Sequence, residues 1–204
     1  MTTAHSNRRG ETLISMIIAM AIFSILIVAI SAFELSILRS HKSYTSRAQV
    51  EQNNITFLHD FTKLLRAAQP AADSSYLIAS ATDTDFVFFS DLGSNGIVDR
   101  IHYFVENNTM KRGIVEPTGA PLAYDLSKEV ITSYIPSIST TSGIFTYYDS
   151  TFDGTTHITP LPLPIVVSDI RTVKVQFTVN PAIATVPPTT VTTHVTIRNL
   201  KSLQ

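Results

Sequence analysis

The 204-residue sequence contains no cysteine and no tryptophan, and Asp, Glu, Lys and Arg together supply only 15% of it. Without cysteine there is no disulfide framework, no thiolate-bound zinc or iron–sulfur cluster and no thiol nucleophile. The compartment stays open, since an exported domain can dispense with disulfides. An ordinary soluble domain carries ~25% charged residues. The formal net charge is −1, and its 15 basic residues form no dense patch, which argues against direct nucleic-acid binding. Hydrophobic residues make up 44% of the chain, enough for a packed core, so wholesale disorder is excluded.

The missing charge has a location. Between Glu11 and Glu34 run 22 residues, TLISMIIAMAIFSILIVAISAF, with no charge, glycine or proline. As a helix they span about 33 Å, matching a hydrocarbon core of ~30 Å. A secretory signal has an apolar region of about 7–15 residues and then a small-residue cleavage site. This run is longer and passes into more helix-compatible sequence, so it is expected to stay on the chain as a membrane anchor. Arg8 and Arg9 precede it, Arg39 and Lys42 follow it, and the arginine pair beside the helix favours a cytoplasmic N-terminus.

Arg39 to Gln69 also lacks glycine and proline. Val50, Phe57, Leu58, Phe61, Leu64, Leu65 and Ala68 recur at steps of three, four and seven, which predicts one apolar stripe on a helix. Glu51, Gln52, Asp60, Lys63 and Arg66 fall mainly on the other faces, and Pro70 supplies the stop. The expected helix runs from about Thr12 to Gln69, either continuous or hinged within Ser40 to Ser46.

Beyond Ala72 the periodicity is that of strands. Phe86–Phe89, Arg100–Val105, Met110–Glu116, Gly143–Tyr148, Thr172–Val179 and Val191–Arg198 are rich in Val, Ile, Thr, Tyr and Phe and are separated by turn formers. Asn107 and Asn108 predict a hairpin turn, because Asn tolerates positive φ. Pro160–Pro164 and Asn180–Pro188 read as loops. Ser and Thr supply roughly a quarter of the chain, which suits solvated strand faces. The fold class is α+β: a long N-terminal helix, its first half membrane-spanning, packed on an antiparallel β-sheet head. No internal repeat is visible.

The segment RRGETLIS, Arg8 to Ser15, sets a basic pair and a glycine before the uncharged helix. It resembles the prepilin signal of type IV pilins and type II secretion pseudopilins. The resemblance implies a pilin-like fold and a leader of residues 1–10 that ends in Arg8, Arg9 and Gly10. It further implies cleavage at Gly10–Glu11 by a prepilin peptidase and N-methylation of Glu11. Residues 11–38 would form the membrane and filament-core helix, 39–69 its amphipathic continuation and 70–204 the extracytoplasmic β domain, with Thr12, Leu13, Ile14 and Ser15 in filament assembly. Implied partners are other pilins or pseudopilins through the N-terminal helix, a membrane platform protein and, indirectly, a cytoplasmic assembly ATPase. The implied location is the inner membrane, single-pass, and then a periplasmic or surface filament. Loss of residues 1–10 removes two arginines and no acidic residue, taking the net charge from −1 to −3.

Two positions depart from the family pattern. Glu11 stands where Phe is usual, and Ser15 stands where Glu is usual. In the family that Glu offsets the terminal amine of a neighbouring subunit, a pair whose value rises in a low-dielectric bundle. Its absence points to a rare or tip-located subunit, with the Glu11 carboxylate as the substitute partner for an amine. Further along, Phe57–Ala68, Ser90–Ile114, Gly143–Asp149, Val167–Asn180 and Thr192–Lys201 come in the order found in the minor pilin W and pseudopilin J group, which they resemble.

Signs of other chemistry are weak. Asp91, Asn95, Gly96 and Asp99 partly follow a calcium loop, but its third position is Gly93 and its twelfth is His102, so a polar turn is the better reading. His5, His41, His59, His102, His157 and His194 show no metal-ligand spacing. Tyr147, Tyr148 and Asp149 read as sheet-edge packing residues. No nucleophile elbow, phosphate loop or dinucleotide fingerprint occurs. The expectation is a non-enzymatic protein without cofactor. The competing reading is a signal-anchored extracytoplasmic domain that binds or hydrolyses a ligand and never polymerises.

Overall fold

A computed structural model describes residues 8–139, 143–180 and 187–200, with side chains on α1 from Leu13 onward except at 39, 40, 42, 43 and 46. The leader residues 1–7, most of the loop expected at Asn180–Pro188, and Lys201 at the end of the last family-like segment lie outside the described residues. Helix α1 runs Arg8–Arg66 and is helical throughout Ser40 to Ser46. The chain divides into two units, Met1–Thr45 and Ser46–Gln204. Among the described residues the first is helix alone; the second holds the rest of α1 and the β head.

In the second unit the apolar stripe goes inward as its spacing predicts: Phe57, Phe61, Leu64, Leu65 and Ala68 are buried, and Val50 and Leu58 flank them. The helix ends at Arg66, three residues before the expected Gln69. Two causes act together. Pro70 disfavours helical φ/ψ at Gln69, and a neighbouring strand offers better partners for the orphan groups of the last turn. The Ser90 hydroxyl donates to the Leu64 carbonyl (2.9 Å), and the Gln69 amide donates to the Phe89 carbonyl (3.0 Å).

The head contains β1 (Ile78–Ala81), β2 (Asp85–Ser90), β3 (Asp99–Glu106), β4 (Thr109–Val115), β5 (Pro117–Thr118), β6 (Ala123–Tyr124), β7 (Val130–Ile135), β8 (Ile138–Ser139), β9 (Phe145–Tyr148), β10 (Thr172–Val179) and β11 (Thr189–Thr196). One antiparallel sheet has the order β1-β2-β3-β4-β7; a second has β11-β10-β8, with β9 pairing the same edge of β10. The β3–β4 hairpin turns at Asn107 and Asn108, with φ of 51° and 56°, the two positive angles that a tight two-residue turn requires. Along β10, Val173, Val175, Phe177 and Val179 are buried while Gln176 faces solvent, the alternation of a half-covered strand.

Both sheets meet the helix stripe through aromatic rings. Phe57 packs edge-on against Tyr103 of β3 (5.6 Å) and Phe177 of β10 (5.5 Å), and Phe61 against Tyr103 (5.2 Å). Such contacts add about 0.5–1.5 kcal/mol each beyond burial. Asp60, placed by the sequence on a solvated face, instead sits half-buried at the helix–sheet border. It accepts from the Tyr134 hydroxyl (2.8 Å) and the Arg112 guanidinium (3.3 Å), which itself lies 4.9 Å over the Tyr134 ring.

Several boundaries move. Val191–Arg198 becomes Thr189–Thr196, because Arg198–Leu200 turns into a 3-10 helix that buries Leu200. Gly143 and Ile144 precede β9 because the Ile144 and Phe145 amides both donate to the Asp83 carbonyl, outside the ladder. The unexpected strands β1, β5, β6 and β8 are short, and β7 is an edge strand mostly exposed on both faces, so it lacks the alternation that betrays a half-buried strand.

Candidate functional site

In the first unit the chemistry is that of a surface. Leu13–Leu38 is 26 residues long with mean hydropathy 3.0, long and apolar enough to cross a membrane, and none of it is buried. Its large apolar side chains point outward all round, from Ile27 at 49% exposed to Ile25 at 69%. A stripe would seat such a helix against one protein face; an all-round apolar surface requires lipid or several neighbouring helices. One hydroxyl of the span, that of Ser24, is turned back onto the helix. Ser24 donates to the Met20 carbonyl one turn back (2.8 Å), which removes its hydrogen-bonding demand from the surroundings.

The expected motif residues Arg8, Arg9, Gly10, Glu11 and Thr12 have helical backbone in the first turns of α1, and their side chains lie outside the described residues. Leu13 and Ile14 are exposed at 62% and 61%, and Ser15 is exposed as well. Leu13, Ile14 and Ser15 thus belong to the same exposed helical surface as the rest of the apolar span.

The head residues considered for other chemistry are occupied locally. Asp91 accepts from the Asn95 and Gly96 amides (3.1 and 2.8 Å), Asn95 from Ile97 (2.9 Å), and Asp99 from Leu92 (3.2 Å). Their oxygens fold the turn itself. Burial holds the Asp99 carboxyl above its usual range despite the Leu92 bond. Among the described residues no three His, Asp or Glu side chains gather in a metal-holding group. Tyr147 and Tyr148 are buried in β9, with the Tyr147 hydroxyl donating to the Thr82 carbonyl (2.7 Å); burial pushes that hydroxyl's pKa far up. Asp149 caps its own turn through Thr151. His59 is exposed beside Asp60. His102 differs: it is flanked by carboxylates from two distant segments, which no local spacing in the sequence announces.

Residues 5–31 match the family model described as the prokaryotic N-terminal methylation motif. The match covers the basic pair, Gly10 and most of the apolar span, and does not extend to the head. No curated protein matches the chain. The N-terminus therefore carries a match to a type IV pilin-type prepilin signal, set on a helix long and apolar enough to cross a membrane. It supports a pilin-like protein, processed by a prepilin peptidase, associated with the membrane and structural in role.

Proposed function

We propose that the chain is a minor pilin or pseudopilin of the pilin W and pseudopilin J type, cleaved after Gly10, methylated on Glu11 and built into a filament at or near its tip. One observation carries this reading: a prepilin-type signal is joined to an unburied, all-round apolar helix that runs on into the core of a β head. In the membrane, lipid covers that surface; in a filament, the helices of neighbouring subunits replace it. Processing fits the local geometry. Gly10 lies in the first turns of α1, and glycine costs ~1 kcal/mol in a helix relative to alanine, so this is the cheapest point at which a peptidase can draw the backbone open.

The N-terminus lies in the cytoplasm before cleavage, and the head lies outside the inner membrane. Prepilin peptidase, other pilins, a platform protein and a cytoplasmic ATPase are the partners. Ser15 supplies no carboxylate for a neighbour's amine, which suits a subunit present in few copies, and Glu11 takes that charge-compensating role. In cells, sheared filaments should contain the chain at a small fraction of the main subunit, and Glu11→Gln should lower that fraction several-fold. A chain retained entirely in the membrane beside assembled filaments would refute the assignment.

A further inference from the structure

Residues 116–129 join β4 to β7 and cross the face of the first sheet opposite α1. Two side chains fasten them there. The Tyr124 ring lies 5.1 Å from Phe89, and its hydroxyl donates to the Val98 carbonyl (2.8 Å) and accepts from the Ala72 amide (3.0 Å). At the far end the Glu129 carboxylate meets His102 Nδ1 (2.9 Å) and Arg100 Nη1 (3.4 Å). The other ring nitrogen of His102, Nε2, lies 2.6 Å from the Asp85 carboxylate. The His102 and Glu129 side chains are only 17% and 19% exposed.

This arrangement requires a particular charge state. A neutral imidazole has one N–H and one lone pair, whereas the imidazolium donates from both nitrogens. Each nitrogen of His102 here faces a carboxylate oxygen, so a neutral ring would aim its lone pair at a negative charge. The path of Glu129 is built as well. Gly113 is the register partner of His102 on β4, and a side chain there would overlap the Glu129 carboxylate. The groups around the ring are Asp85 from β2, Arg100 from β3 and Glu129, the residue just before β7. The next outward position of β4 is Lys111, engaged by Glu106, and β7 presents uncharged Ile131 and Ser133.

We propose that His102 is a pH-sensitive latch: as the imidazolium it fastens the Glu129 end of residues 116–129 to the sheet, and on losing its proton it releases that end, while Tyr124 still holds the other. Burial opposes its charge, but the hydrogen bonds and charges of Asp85 and Glu129 outweigh burial and hold its pKa above the ordinary value. The sign follows: attachment is complete below the unfolded value of about 6.5 and is lost as pH rises through the higher folded value.

Hydrogen exchange of the full chain in detergent micelles tests this, with rates corrected for intrinsic base catalysis. From about pH 6 to about pH 9, peptides covering 116–129 should lose about tenfold or more of their protection as that attachment opens. Peptides of β10 should hold theirs. His102→Gln should give low protection at 116–129 at every pH. Gly113→Ala, which displaces Glu129 and leaves the histidine in place, should do the same. Constant protection in the wild type, a pH dependence that survives in His102→Gln, or a wild-type profile in Gly113→Ala would each overturn the latch.

Discussion

Phe33 and Phe57 lie on the same helix, yet Phe33 is 67% exposed and Phe57 is fully buried. The difference comes from pattern. Around Phe57 apolar residues occupy one stripe, with Glu51, Gln52 and Asn53 off it, so a single protein face satisfies the helix. Around Phe33 no face is set apart: from Leu13 to Leu38 exposed apolar side chains lie on all sides, Glu34 is the one charged residue among them, and no single protein face suffices. One helix thus serves two solvents: the second half is a core element of a folded domain, and the first half is a surface made for lipid or for other helices.

Three substitutions probe that contrast, read as denaturation midpoints of the full chain in detergent micelles through tyrosine fluorescence. Phe61→Ala removes a ring packed between both sheets and should destabilise the head by about 3–5 kcal/mol. Asp60→Ala strips Tyr134 and Arg112 of their shared acceptor; because the site is a third exposed, the expected loss is about 1–2 kcal/mol. Phe33→Ala should move the midpoint by no more than about 0.5 kcal/mol, as for a surface position. An effect of Phe33→Ala comparable with that of Phe61→Ala would mean that the two halves are not energetically distinct.

Much of the architecture was legible because it is written in short-range periodicity. The stripe from Val50 to Ala68, the alternation in Thr172–Val179 and the Asn107–Asn108 turn each depend on a few neighbouring residues, and each has its expected form. What escaped depends on partners far along the chain. The helix stops at Arg66 because strand residues 89 and 90 draw away its last polar groups. Asp60 leaves the solvated side because Arg112 and Tyr134 arrive from β4 and β7. His102 is one of six scattered histidines until folding sets Asp85 and Glu129 on either side of it. The edge strand β7 has the β-branched residues of a strand but almost no burial to impose alternation. The N-terminal signal is the opposite case: its elements are contiguous, so a local reading and the match over residues 5–31 draw on the same residues.

Under the proposed function, the first unit carries a leader to be removed and an apolar helix to be kept. Intact-mass measurement of the chain from membranes that hold an active prepilin peptidase tests it most directly. The expected mass is that of a single species lacking residues 1–10, beginning at Glu11 and bearing one added methyl group, with the full-length mass restored when the peptidase is absent. A chain that keeps residues 1–10 beside an active peptidase, or one cut beyond the apolar helix, would contradict it.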